Sequence, residues 1–315
     1  MTEQLSLERI DAAAQLIDPV FRDSPQFVDS QLCAALGREV VVKVETTNPL
    51  GSFKGRGADF FVRELDPGSR LVCSTGGNFG QALAYAGRGR GFPVDVFVSA
   101  RLDEGKVARI RALASEVVVI EGDEDDAKEA ARVHAAADSR RRFVEDGREI
   151  AISEGAGTIG VELLAAGPID TLVVQVGDGA LIGGVARWVK EHSPHTRIVG
   201  VCASGSPAMA LSWREGRPVA APAETIASAL AVPRPVPDSV ARIRPLVDEF
   251  VLVDDADMID AMRIVADTLG ILVEPAGAAG VAAVRRHDPD GERLALLLTG
   301  QGVPRGLHGA VLGAG

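Results

Sequence analysis

Asn48-Pro49-Leu50-Gly51-Ser52-Phe53-Lys54-Gly55-Arg56-Gly57-Ala58 is the stretch on which the fold and chemistry of this chain turn. One lysine, Lys54, follows an aromatic residue inside a cluster of Gly, Ser and Pro. Such composition is poor for a long solvated helix and good for a tight turn that delivers a helix N-terminus. A lysine held there can work as an amine, for instance by condensing with a carbonyl to a Schiff base. Most lysines are simply solvated; three further segments set this one apart.

Outward from it, short β-branched runs alternate with Ala-rich helical stretches. Strands are predicted over residues 40–45, 71–74, 94–99, 116–120, 171–176, 197–203, 250–253 and 294–298. Several are apolar throughout rather than alternating, which marks strands covered on both faces. The pattern is that of repeated βα units, hence an α/β protein with a largely parallel sheet. Ligands of such sheets bind at the C-terminal ends of strands. The distinctive segments here begin where predicted strands stop, at Ser74, Gly177 and Thr299.

Ser74-Thr75-Gly76-Gly77-Asn78-Phe79-Gly80-Gln81-Ala82 follows the strand ending near Cys73 and opens a helix predicted over 81–87. Its glycines let backbone amides approach a ligand, and a helix N-terminus favours a negative group. A Gly-rich turn without a ligand is the competing possibility. Val176-Gly177-Asp178-Gly179-Ala180-Leu181-Ile182-Gly183-Gly184 lies between an apolar strand and a helix, where main-chain N–H groups can wrap a phosphate. A dinucleotide site is the natural competitor, but G-x-G-x-x-x-G-G departs from G-x-G-x-x-G, and the first βα unit carries no such fingerprint. Leu296-Leu297-Leu298-Thr299-Gly300-Gln301-Gly302 puts a hydroxyl at the end of a buried strand, either to meet a ligand atom or to cap the next turn.

These segments resemble the pyridoxal-phosphate enzymes of fold type II: threonine/serine dehydratases, serine racemases, cysteine synthases and threonine synthases. The dehydratase-like members are the nearest. The resemblance implies two open, twisted-sheet α/β domains of the tryptophan synthase β-like kind, with pyridoxal 5'-phosphate in the cleft between them. Residues 1–69 and 148–315 would form the large cofactor-binding domain, and 70–147 the small domain contributing a substrate-carboxylate loop. The S-F/L-K-x-R match makes Lys54 the Schiff-base and catalytic lysine. Phe53 then packs on the cofactor ring or is an ordinary core residue. The match to S-x-G-N-H/F assigns the substrate carboxylate to Ser74, Thr75, Gly76, Gly77 and Asn78, and gives Asn78 the cofactor's phenolic oxygen as well. Gly177, Asp178, Gly179, Ala180 and Leu181 correspond to a tetraglycine phosphate loop, with Asp178 and Ala180 replacing two glycines. Asp178 is expected to turn its carboxylate outward, because a phosphate would repel it. Thr299 takes the place of the Ser or Thr that hydrogen-bonds the ring nitrogen. A neutral hydroxyl there leaves that nitrogen mostly unprotonated, so the ring is a weaker electron sink and prompt loss of a β-leaving group is favoured. T-G-x-G at this point is nearer to threonine synthases than to the S-G-G-N of dehydratases.

Further matches cover most of the chain: Gly155-Ala156-Gly157-Thr158-Ile159 to G-Q-G-T-I, Thr225-Ile226-Ala227-Ser228-Ala229-Leu230 to T-I-A-D-G-L, and Glu274-Pro275-Ala276-Gly277-Ala278 to E-P-S/T-G-A. Gly76 stands where serine racemases carry a second-face acid/base serine, which favours elimination over racemisation. Cys202 stands where racemase-like members place a Glu for a divalent cation, so no metal is expected. The chain ends soon after Gly302, which leaves no room for a feedback-regulatory domain. The implied activity is β-elimination from a small β-hydroxy amino acid such as serine or threonine, giving a 2-keto acid and ammonia. Lys54 would be the general base, kept neutral by burial and the nearby cofactor. The alternatives are a β-replacement transferase of the cysteine-synthase kind, sharing the early steps, and a non-enzymatic α/β protein that binds an anion or nucleotide.

Bulk properties agree. The 315 residues are 46% hydrophobic and carry a formal net charge of -11, enough to bury a core and unsuited to binding nucleic acid. The basic run Arg140-Arg141-Arg142, beside Glu145 and Asp146, reads as a solvated loop, and Pro233-Arg234-Pro235-Val236-Pro237 as an exposed one. His192 and His195, with a proline between them, read as a surface loop. Three widely spaced cysteines without a C-x-x-C pair argue against a disulfide scaffold or zinc site. The acidic, amphipathic N-terminus is no signal peptide, and no apolar run reaches the ~20 residues a membrane span requires. A soluble cytoplasmic protein is expected, and the resemblance adds a homodimer.

Overall fold

The computed structural model describes residues 4–75 and 77–313, so Gly76 lies outside the described residues. Ten strands form among them: β1 (Gln26–Val28), β2 (Val40–Val44), β3 (Arg70–Ser74), β4 (Val94–Ser99), β5 (Glu116–Ile120), β6 (Arg141–Phe143), β7 (Thr171–Gln175), β8 (Arg197–Ala203), β9 (Glu249–Val253) and β10 (Leu294–Leu298). They make a six-stranded sheet ordered β1-β2-β10-β7-β8-β9 and a four-stranded sheet ordered β5-β4-β3-β6. Every pairing is parallel except β1 on β2.

All eight strands predicted from the sequence are present within a residue of their predicted bounds. The apolar run of β10 has the expected cause. On β10, Leu294, Leu296 and Leu298 enter one core with Val40, Val42 and Val173, whereas Ala295 and Leu297 enter another with Val41, Leu172 and Val174. Successive side chains point to opposite faces of a strand, and helices cover both. β1 and β6 were not foreseen. Each is three residues long, too short for a periodic signal. β6 corrects the solvated-loop reading of the basic run, because Arg141 and Arg142 pair with Arg70 and Leu71. Glu124, Asp125 and Asp126 form the first turn of the helix Glu124–Ala136, whose N-cap Asp123 makes a capping box with Asp126.

The Lys54 turn is built by Asn48 and pinned to the end of β10. The Asn48 side chain donates to the carbonyls of Glu45 (2.9 Å) and Ser52 (3.0 Å) and accepts from the Leu50 amide (3.0 Å). The Phe53 amide donates to the Thr299 carbonyl (3.1 Å), and the Gln301 amide to the Gly51 carbonyl (2.8 Å). Gly51 adopts φ 61°, left-handed backbone that glycine reaches without strain. The helix Lys54–Arg63 begins at once, N-capped by Phe53 without a side-chain hydrogen bond. Arg56, fully buried on its first turn, donates to Glu45 (2.8 and 2.9 Å), Glu162 (2.6 and 2.9 Å) and Thr158 (3.0 Å). That network ties the helix to β2 and to the helix Ile150–Ala165.

Candidate active site

The C-terminal ends of β3, β7 and β10 open on one cleft of about 550 Å³, a volume suited to a small organic ligand. Lys54, Phe53, Ser74, Thr75, Gly77, Asn78, Gly177, Asp178, Gly179, Ala180, Leu181 and Thr299 all line it. Of the residues singled out from the sequence, only Gly76 falls outside the described chain.

Lys54 extends its ammonium over the Phe53 ring, 4.8 Å from the centroid, to an ion pair with Asp146. The other carboxylate oxygen of Asp146 is buried without a hydrogen-bond partner. A carboxylate thus faces the amine. Sequence pattern gave Asp146 no distinction, since its approach to Lys54 spans 92 residues of chain.

Opposite Asp146 the chain turns through Gly177–Gly179 into the helix Ala180–His192. Its N-cap, Gly179, has φ 88° and offers no side chain to the first turn. The amides of Ala180, Leu181 and Ile182 have no intrahelical partner and lie at the cleft. Added Cβ atoms would collide with the Ala229 carbonyl at Gly177 and with the Ser239 hydroxyl at Gly179. This bare, uncapped turn is a cradle for an anion. Asp178 lies on this turn. It remains half-buried in the cleft lining, its Cβ 3.0 Å from where a side chain on Gly147 would begin. Desolvation first, then the charge of Asp146, push its carboxyl up to about 6, although Lys54 opposes them.

The third wall is the loop after β3 and the helix Asn78–Arg90. The Thr75 hydroxyl accepts from the amides of Gly77 (3.0 Å) and Gly80 (3.4 Å), which leaves its own proton to donate. Asn78 donates to Glu274 (2.9 Å), whose carboxyl burial pushes above its usual range despite Lys106 and Asn78. Lys106 reaches across the cleft mouth to the Ser228 hydroxyl (2.9 Å) and lies 3.8 Å from Glu274. Ser228, which replaces an Asp in the resemblance, therefore meets a cation from the helix Glu104–Arg111 that follows β4. Pro235 and Val236 are buried in the cleft lining, which corrects the exposed-loop reading of that proline-rich run.

Thr299 ends the strand at the cleft floor, and Gln175 donates to its hydroxyl (2.8 Å). The residues fit pyridoxal phosphate: an amine for its aldehyde, uncapped amides for its phosphate and a hydroxyl proton for its ring nitrogen. That constellation on two parallel sheets defines a fold type II pyridoxal-phosphate enzyme. A family model described as pyridoxal-phosphate dependent enzyme matches residues 21–300, and the chain belongs to that family.

Among curated relatives, an L-threonine ammonia-lyase of Thermotoga maritima is 30% identical over 302 residues, covering 94% of this chain and 75% of that protein. A human serine racemase is 30% identical over 299 residues, covering 89% and 86%. Among solved structures, the processed form of threonine deaminase isoform 2 from Solanum lycopersicum superposes with TM-score 0.87 at 26% identity, covering 100% of this chain and 96% of that one. Maize serine racemase superposes with TM-score 0.90 at 25% identity, covering 96% and 95%. No helix among the described residues is long and apolar enough to cross a membrane.

Proposed function

We propose that this enzyme is an ammonia-lyase that eliminates the β-hydroxyl of a small amino acid such as L-serine or L-threonine, giving a 2-keto acid and ammonia. The observation that carries this is the convergence of the Lys54 amine, the bare helix start at Gly179–Leu181 and the Thr75–Asn78 loop on one cleft. The names of the relatives supply the substrate class: threonine ammonia-lyase and phenylserine dehydratase.

When bound, the cofactor supplies an aldehyde for the amine of Lys54 and a ring that withdraws electrons from the substrate α-carbon. Phe53 would pack beside it, and the amides of Gly177, Asp178, Gly179, Ala180 and Leu181 would hold its phosphate. Ser74, Thr75, Gly77 and Asn78, together with Gly76, orient the substrate carboxylate, with Asn78 also facing the phenolic oxygen. Lys54 Nζ takes the α-proton, and Asp146 stabilises the ammonium that results. Thr299 donates its hydroxyl proton to the ring nitrogen. Glycine at position 76 has no side-chain proton to give, which favours elimination over racemisation.

We assign residues 1–69 and 148–315 to the cofactor-holding domain and 70–147 to a smaller one. Membership of β3–β6 in a sheet of their own supports that division. Cytoplasmic location and a homodimer complete the proposal; sedimentation of the holoenzyme tests the second. The function is tested by assaying ammonia and keto acid from a panel of amino acids. Steady release from L-serine or L-threonine is expected, with the visible absorbance of the holoenzyme lost in Lys54→Ala. Turnover only when a thiol or amine is added would replace the lyase with a β-replacement enzyme.

A further inference from the structure

Gln175 is the last residue of β7, almost fully buried on the face that Val173 shares with the apolar core. A carboxamide there must be satisfied by hydrogen bonds or it opposes folding. Its Nε2 donates to the Leu297 carbonyl (3.0 Å) and to the Thr299 hydroxyl (2.8 Å). The amide orientation is fixed by Leu297. A carbonyl only accepts, so turning Oε1 toward it would set two acceptors face to face. Oε1 instead points where no hydrogen-bond partner meets it.

The consequence falls on Thr299. A hydroxyl has one proton to give, and here one of its lone pairs is already taken by Gln175. Gln175 offers Thr299 no acceptor, so the hydroxyl proton is left for the cleft. We propose that Gln175 is a positioning residue that holds Thr299 as a hydrogen-bond donor toward the cofactor's ring nitrogen, and thereby keeps that nitrogen unprotonated. A protonated nitrogen would be a donor facing a donor. This rests on the assignment of Thr299 to the ring nitrogen made above, and extends it by one residue away from the cofactor.

The test reads the ring nitrogen directly, by 15N NMR of holoenzyme loaded with 15N-labelled pyridoxal phosphate. Wild type is expected to show an unprotonated resonance; a protonated one overturns the inference without any variant. Gln175→Glu, neutral when buried, accepts from Thr299 and withdraws its proton, so the resonance moves toward the protonated position. Gln175→Met frees the hydroxyl to rotate and gives a smaller shift the same way. Either variant lowers kcat about threefold to tenfold with KM nearly unchanged, the range that one net hydrogen bond commands. Thr299→Ala separates the two failures. If it moves the resonance and neither Gln175 variant does, Gln175 is only a structural residue. If Thr299→Ala leaves the resonance in place, the assignment of Thr299 falls and the inference with it.

Discussion

Lys54 and Arg56 stand two residues apart on one helical turn, and the fold treats their charges in opposite ways. Arg56 is fully buried, and two carboxylates and two hydroxyls answer its guanidinium. Lys54 is partly open and has one carboxylate, Asp146, with an oxygen to spare. A fully answered buried charge locks elements together, whereas a half-answered one is available to a ligand. The motif is thus two devices: an anchor that sets the helix, and a reactive group that the anchor aims.

The largest effect expected is on the reactive side. Lys54→Ala lowers kcat at least ~10³-fold, because the general base is lost, while urea denaturation of the cofactor-free protein changes little. The reverse is expected of Arg56→Met, which leaves Glu45 without its counter-charge and Glu162 with Lys43 alone, and costs about 3–5 kcal/mol of stability by urea denaturation. A larger drop from Lys54→Ala than from Arg56→Met in that measurement would erase the distinction.

The two regions also respond to pH with opposite sign. Burial alone would raise Glu162, but Arg56 and Lys43 hold its carboxyl below the ordinary 4.5. Its contribution is therefore present above that value and lost as pH falls through the lower folded one. Asp178 is raised from 3.8 to about 6, so its contribution is present below pH 3.8 and lost as pH rises toward 6. Asp178→Asn removes that loss and gains about 1–2 kcal/mol at pH 7 over wild type, measured by urea denaturation across pH 4–7. A variant with the wild-type slope would show that the cleft does not penalise this charge. The smallest effect concerns the cleft mouth. Lys106→Met removes the bond to Ser228 and raises KM about fivefold with kcat unchanged, read from steady-state kinetics.

Long apolar strands and glycine turns were legible because they repeat a local rule. β2, β7 and β10 are buried along their length and therefore mostly apolar, with Lys43, Thr171 and Gln175 the exceptions, so pattern alone located them. Ser74, Gly177–Leu181 and Thr299 announced themselves by lying where such strands stop, and Lys54 by the Gly, Ser and Pro cluster around it. Asp146, Lys106 and Gln175 gave no such signal. Asp146 sat beside a basic run, Lys106 looked like one more helix lysine, and Gln175 was a lone polar residue at the edge of an apolar run. β6 and the buried half of the proline-rich run escaped for the same reason, being short pieces whose roles come from their neighbours.

The sequence by itself determined the α/β class, the strands and the lysine and glycine turns, because each rests on contacts or conformations within a few residues. Tertiary structure alone decided that Asp146 meets Lys54 across 92 residues, that Lys106 spans the cleft, and that Gln175 orients Thr299 across 124. Charge pairing and hydrogen-bond direction depend on distances in space, and those are fixed only once the two sheets have packed.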